Sequence, residues 1–347
     1  MAKTSGKLRI NLALQGGGAH GAFTWGVLDR LLQEDDIEIG AISGTSAGAL
    51  NGAALKAGWV KNGAQGARDN LDWLWMQVAG VDDLEKTGWM APLGVGALST
   101  ALEYSWPVAM ADAINNVTSP YSYGPFYRNP LTDIVAKFDF DKVCNDVSPL
   151  LHICATRVRN GKIKVFSGDE ISADAIMASA CLPTLFQAVE IFDPQTDRIE
   201  GFWDGGYTGN PALFPLFDDA LPADIVIINI NPLEREDLPV TPKQIQNRIN
   251  EISFNSSLLR ELRAIDFVQR LLDEGTIPEE RMHRVRVHMI ADDALMEQLS
   301  VATKTVPNAA VIAKLKLAGQ QAAQQFLVYH KAKIGKESSV NLREMFA

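Results

Sequence analysis

The chain has 347 residues, 47% of them hydrophobic and 21% charged, which is enough apolar material for a large buried core and excludes a disordered chain. Its net charge of −10 leaves no excess of Lys or Arg to displace counterions, which argues against nucleic acid as a partner. Three cysteines, Cys144, Cys154 and Cys181, are too few and too scattered for a disulfide framework or a metal site, and they read as reduced core thiols.

The opening stretch MAKTSGKLRINLALQGGG lacks the apolar core of a signal peptide, and no uninterrupted apolar run is long enough to span a bilayer. The expectation is a soluble, cytoplasmic protein. Leu8 to Leu14 reads as a first strand, Gln15 to Gly21 as a glycine loop, and Ala22 to Gln33 as a helix. A strand, a glycine loop and a helix in that order aim free backbone N–H groups at one point, which suits an anion. Gly16, Gly18 and Gly21 satisfy G-x-G-x-x-G, and Asp35 or Asp36 lies near the spacing of a ribose-binding carboxylate, so a dinucleotide site is one reading. A dinucleotide fold, however, ends its second strand in an acid, and this chain has Ser43-Gly44-Thr45-Ser46 there. The other reading is an oxyanion hole serving a nearby nucleophile, and the two loops taken together favour it.

That nucleophile is presented next. Ile37 to Ile42 reads as a short buried strand, and Ala47 to Ala57 as a helix. Between them Gly44-Thr45-Ser46-Ala47-Gly48 fits G-x-S-x-G, a strand-to-helix elbow whose small flanking residues let the turn pass its neighbours and lift the serine oxygen clear.

Residues Trp59 to Arg128 change character. They hold five of the seven tryptophans (Trp59, Trp73, Trp75, Trp89, Trp106), and between Lys86 and Asp112 the only charge is Glu103. Breaks at Pro92, Gly94, Gly96 and Pro107 rule out a spanning helix. Two expectations stand: an insertion with its own small core, or an apolar cap that accepts acyl chains or touches a membrane interface.

Regular alternation returns at Leu150. Leu150 to Val158 and Lys162 to Ser167 read as strands joined at Asn160-Gly161, and Ser172 caps a short helix that Pro183 stops. A strand over Ala188 to Phe192 leads through a polar turn to Glu200 to Tyr207, which contains Asp204-Gly205-Gly206. Then come a strand Ile225 to Ile230, a helix Gln244 to Leu272 whose mixed charges read as a solvated face, a strand Arg284 to Ile290 and a helix Ala309 to Tyr329. Lys336 to Ala347 reads as a loose tail.

A serine hydroxyl needs a base. The order Ser, Asp, His of α/β-hydrolases is met by Ser46, Asp204 and His288 or His283. Four blocks, however, carry a family resemblance: GGGAHG at 16–21, GTSAG at 44–48, ASACLP at 178–183 and DGG at 204–206 are similar in order and spacing to the motifs of patatin-like phospholipases. The resemblance covers about Leu8 to Leu233. It implies a three-layer α/β/α sandwich around a mostly parallel sheet in a single catalytic domain; with the apolar helical insertion at about 59–128 and the tail at 336–347 read above from composition, that domain is expected over 8–335. It also implies a Ser46–Asp204 dyad without histidine, and an oxyanion hole from the 16–18 loop (Gly16, Gly17, Gly18) aided by Ala47. The implied substrate is a phospholipid or lysophospholipid ester, met by peripheral membrane contact, with no metal and no cofactor. One position departs from the pattern: where the family carries Arg or Lys before the last glycine of the first motif, this chain has His20. A carboxylate is a weak base for a hydroxyl unless its surroundings are dry, so Asp204 is expected to be buried against Ser46.

Overall fold

Aliphatic residues follow one another along the central strands, as they must in a sheet covered on both faces. The computed structural model describes residues 6–82, 94–103, 119–147, 149–236, 238–278 and 281–346. Within them β1 (Leu8–Leu14), β2 (Ile37–Thr45), β3 (Leu150–Arg157), β4 (Ile163–Ser167), β5 (Val189–Asp193), β6 (Arg198–Asp204), β7 (Asp224–Ile228) and β8 (Arg286–Ile290) form one sheet. Its order is β5-β6-β3-β2-β1-β7-β8, with β4 also paired to β3. The pairs β3–β2, β2–β1, β1–β7 and β7–β8 are parallel, while β4 and β6 run antiparallel to β3, and β5 runs antiparallel to β6.

The helices used below are α1 (Gly21–Leu31), α2 (Ala47–Ala79), α3 (Ala173–Ser179), α4 (Pro242–Asp273), α5 (Val301–Thr305), α6 (Ala309–His330) and α7 (Leu342–Met345). Successive strand residues point to opposite faces, so Val226 and Ile228 join a core with α1, α2 and α6, whereas Ile225 and Ile227 join a second core with Leu258, Leu262 and Leu342. The result is the expected three-layer α/β/α arrangement around a mostly parallel sheet. Among the described residues no helix is long and apolar enough to cross a membrane.

The structure departs from the sequence expectations in four places. β2 continues past Ile42 to Thr45, because Ser43, Gly44 and Thr45 still pair with His152, Ile153 and Cys154 of β3. The nucleophile helix does not end near Ala57. α2 runs to Ala79 across a kink at Asn62 and Gly63, and Trp75 is buried, stacked on Trp25 at 6.2 Å with its indole N–H donated to Asn51. Residues 59–79 therefore pack on the main core, where Trp59 and Trp73 join it; Trp89 and Trp106 lie outside the described residues.

The charges of α4 are not all solvated. Glu261 is largely buried and accepts from the N–H groups of Leu213 and Phe214 at 2.8 Å each, and burial pushes its carboxyl up to about 7. Glu251 is 1% exposed. The expected loose tail is stitched to the sheet edge: the Val287 N–H donates to Ser338 Oγ, Ser339 N–H donates to Val287 O, and Leu342 is buried in the second core. A terminal stretch this polar gives no periodic signal, so its anchoring is set by backbone pairing that composition does not reveal.

Candidate active site

β1 and β2 are parallel neighbours, so the loops leaving their C-terminal ends emerge at the same edge of the sheet. One is the glycine loop, the other the serine elbow. Ser46 has φ 54 and ψ −119, a left-handed conformation that costs a non-glycine residue on the order of 1–3 kcal/mol and is held by its surroundings. Those surroundings are identifiable. A side chain at Gly48 would strike the Leu14 carbonyl, so only glycine lets the start of α2 press against the end of β1. The Ser46 N–H donates to Ser179 Oγ at 2.9 Å, tying the elbow to the buried end of α3. Ser179 belongs to the ASACLP block, whose helix-then-proline pattern did not by itself expose this role.

Asp204 ends β6. Its backbone is fixed twice, N–H to Cys181 O at 2.8 Å and carbonyl accepting from Thr156 Oγ1 at 2.8 Å. Gly205 then passes so close to the Cys154 carbonyl and to Thr45 that no side chain would fit, which sets the aspartate beside the elbow. The carboxyl is 1% exposed; Oδ1 accepts from Gly206 N–H at 2.7 Å, while Oδ2 is buried with no hydrogen-bond partner of standard geometry among the described residues. Burial pushes this acid up to about 7, opposed first by the Gly206 N–H and then by the nearby Ser46 hydroxyl. Ser46 thus stands close enough to perturb Asp204 without completing a regular hydrogen bond.

The glycine loop is clamped by amides. Gln15 Oε1 accepts from the N–H groups of Ile230 and Asn231 and from the Asn231 side chain, while Gln15 Nε2 donates to Asn210 O and Asn255 Oδ1. The Gly16 N–H donates to Asn210 Oδ1 at 2.7 Å and its carbonyl accepts from Asn231 Nδ2 at 2.7 Å. This corrects one expectation: the Gly16 N–H is already committed, so Gly16 is a spacer and not an oxyanion donor. It remains essential for shape, since a Cβ there would lie 2.7 Å from Ser46 Cβ. Gly17 and Gly18 follow, Gly18 at φ 58, and α2 begins at Ala47 with its first N–H groups unpaired within the helix. Asn210 and Asn231 each precede a proline at a loop just beyond β6 or β7, which is the signal in the sequence that could have found them.

The rival readings place their residues elsewhere. Asp35 and Asp36 precede β2, at the opposite end of the sheet from the glycine loop, about seven residues or roughly 20 Å away, and Asp36 pairs with Lys331. That removes the ribose-binding carboxylate from the dinucleotide reading. His288 is buried on β8 and its Nε2 lies 3.0 Å from Asp224 Oδ1; His283 approaches Asp219 at 3.4 Å. Neither is hydrogen-bonded to Ser46 or Asp204. His20 is buried, with Nε2 2.8 Å from Thr303 Oγ1, and burial followed by the charge of Lys304 holds it well below the usual range, hence neutral. The cation that weighs most on His20, Lys304 of α5, is itself bound by Glu251 at 3.2 Å. Burial alone would raise Glu251, yet Arg235 and Lys304 bring it down to about 2. No free positive charge therefore replaces the family's basic residue through His20.

A family model described as patatin-like phospholipase matches residues 12–217. A comparison with curated proteins finds no match. Among solved structures, VipD from Legionella pneumophila is similar at 14% identity, with 94% of this chain and 67% of that one covered and a TM-score of 0.41. A chain of the complex between full-length SpcU and full-length ExoU, from the type III secretion system of Pseudomonas aeruginosa, is similar at 14% identity and a TM-score of 0.30; 92% of this chain is covered but only 53% of that one. The matched residues 12–217 contain both glycine-bearing loops, the Ser179 helix and the Asp204 turn, and they make up more than half of the chain, which belongs to the patatin-like phospholipase family.

Proposed function

We propose that the protein is a serine lipid acyl hydrolase that cleaves fatty acyl esters of phospholipids or lysophospholipids through Ser46 and Asp204. The observation that carries this reading is the pairing of a serine on a left-handed elbow with a carboxyl that is buried, keeps one oxygen uncommitted, and is held by burial near 7. An aspartate of ordinary acidity would be some three units weaker as a base. Ser46 Oγ attacks the ester carbonyl while Asp204 takes its proton. The Gly17, Gly18 and Ala47 N–H groups receive the oxyanion. Collapse of the tetrahedral intermediate breaks the C–O bond, and the leaving alkoxide takes the proton back from Asp204. Water then hydrolyses the acyl-enzyme with Asp204 again as base.

Labelling by a fluorophosphonate tests the reading directly. One equivalent is expected to attach at Ser46 and none in Ser46→Ala; labelling elsewhere, or retained in that variant, would overturn the assignment. The histidine alternative is tested by His288→Ala. Because His288 is buried and bonded to Asp224, this variant is expected to lose about 2–4 kcal/mol of stability while keeping ester turnover within a few-fold. A loss of several orders of magnitude in kcat at full folding would instead place His288 in the chemistry.

A further inference from the structure

The glycine loop has a second neighbour besides the serine elbow. α5 lies against it, and a Cβ at Gly18 would strike the Lys304 carbonyl, so only glycine lets loop and helix come this close. Two side chains of α5 then reach opposite ends of the loop. Buried Thr303 places its Oγ1 2.8 Å from His20 Nε2, and the same hydroxyl donates to Ser300 O at 2.7 Å. A hydroxyl has one proton to give, so toward the ring Thr303 accepts, and neutral His20 carries its proton on Nε2. His20 Nδ1 is buried without a partner, which leaves Thr303 as the one hydrogen bond that orients the ring among the described residues. At the other end Lys304 Nζ lies 3.4 Å from Asn231 Oδ1 and 3.2 Å from Glu251 Oε1. An amide has an acceptor end and a donor end. A cation at Oδ1 turns Nδ2 the other way, where it donates to Gly16 O at 2.7 Å and to Gln15 Oε1 at 3.2 Å.

We infer that Thr303 and Lys304 are positioning residues for the oxyanion hole: α5 clamps the glycine loop at His20 and, through Asn231, at Gly16, and so fixes the Gly17 and Gly18 N–H groups between them. The clamp is itself anchored. Arg235 donates to both oxygens of buried Glu251 at 2.8 Å each, so Lys304 meets a carboxylate that cannot swing away. The Ser300 N–H donates to buried Ser99 Oγ at 2.8 Å, which ties the start of α5 to the helix Val95–Glu103. Asn231, Arg235, Glu251, Thr303 and Lys304 all lie beyond residue 217, so the hole is completed by a part of the chain that the family match does not reach. The clamp also gives the departure at position 20 a consequence. The Lys304 charge that helps to keep His20 neutral would oppose an Arg or Lys in its place, so His20 and Lys304 belong together. The inference rests on the oxyanion reading of the loop, and its test separates the two.

Thr303→Val, Lys304→Met and Thr303→Ser are compared with wild type in three measurements. These are hydrolysis of p-nitrophenyl butyrate, the rate of fluorophosphonate labelling at Ser46, and amide hydrogen exchange over residues 15–21, where the Gly16 and His20 N–H groups are bonded to Asn210 Oδ1 and Gly17 O. Lys304→Met leaves Glu251 paired with Arg235 on both oxygens, so no buried carboxylate is orphaned. Acylation and deacylation both pass through an oxyanion, so a loosened hole slows both and lowers kcat without moving KM. Thr303→Val and Lys304→Met are each expected to lower kcat and the labelling rate about tenfold, with KM within about twofold and exchange over 15–21 faster by about fivefold. Thr303→Ser keeps the hydroxyl and is expected to return all of these to within about twofold of wild type. Unchanged kcat per folded molecule in Thr303→Val and Lys304→Met overturns the inference even if melting temperatures fall, because α5 would then serve stability alone. A Thr303→Ser variant as impaired as Thr303→Val also overturns it, since the hydrogen bond would not carry the effect. Exchange that quickens along β1 and β2 as much as over 15–21 does the same. If wild type neither hydrolyses the ester nor takes the label, the proposed function fails, and exchange over 15–21 still decides whether α5 holds the loop.

Discussion

Replacing Asp204 by asparagine is expected to lower ester hydrolysis by a factor of about 10³ or more, and at the same time to stabilise the protein above pH 7. The two effects share one cause. An amide preserves the acceptor for the Gly206 N–H, so the turn has no reason to move, but it cannot take a proton from Ser46. The folded acid titrates near 7, above its ordinary value, because burial disfavours the carboxylate. A raised folded pKa contributes stability that is complete below the unfolded value near 4 and is lost as pH rises through 7. Above that pH the wild type carries the cost of a buried charge and the variant does not, a difference on the order of 2–4 kcal/mol, or about 5 °C in melting temperature. The gain is expected to shrink toward zero as pH falls to 4. Wild-type kcat/KM should rise with pH through about 7 and then level off, since only the ionised form is a base. Melting curves at pH 5 and 8, with initial rates across the same range, check all three statements. Substantial activity in a folded Asp204→Asn protein would end the dyad.

That a destabilising carboxyl sits at this position explains what could be read in the sequence and what could not. Local chemistry was legible wherever a short run of residues dictates its own geometry. β1 spans Leu8–Leu14 as expected, and Gly44 to Gly48 announced a turn that could only be tight. The Asn160-Gly161 hairpin signal was met by β3 and β4 pairing antiparallel. What stayed hidden were the partners recruited from far along the chain. Gln15 is held by residues at 210, 231 and 255, and Ser46 by Ser179, and no local pattern marks an amide or hydroxyl that will be buried among others of its kind. Glu251 looked like any solvated helix charge, because burial of a carboxylate depends on Arg235 and Lys304 arriving from other elements. Gly16 was legible as a glycine that had to be there, but not as one whose N–H is already taken by Asn210. Sequence thus marked the serine elbow and the Asp-Gly turn, while the polar network that holds them is a property of the assembled edge of the sheet.

Gly48→Ala is expected to show how tightly that edge is assembled. The added methyl would lie far inside contact distance of the Leu14 carbonyl and 3.0 Å from the Gln15 carbonyl, and backbone atoms at the end of a central strand cannot swing aside as a flexible side chain would. Relief has to come from moving the start of α2, which carries Ser46 and the Ala47 N–H away from Gly17 and Gly18. A shift of about 1 Å at such a site is worth roughly 10² in rate, so fluorophosphonate labelling and kcat should fall about 100-fold. Overpacking against rigid backbone should cost about 3 kcal/mol of stability as well. Gly63→Ala, at the α2 kink, is the matched control: φ there is 56, so the substitution strains the backbone by about 1 kcal/mol, yet a Cβ meets nothing within 4 Å. It should therefore lower the melting temperature slightly and leave labelling of Ser46 unchanged. Equal labelling rates in the Gly48 and Gly63 variants would mean that the serine elbow and the glycine loop do not depend on their close approach, and the oxyanion assignment would fall with it.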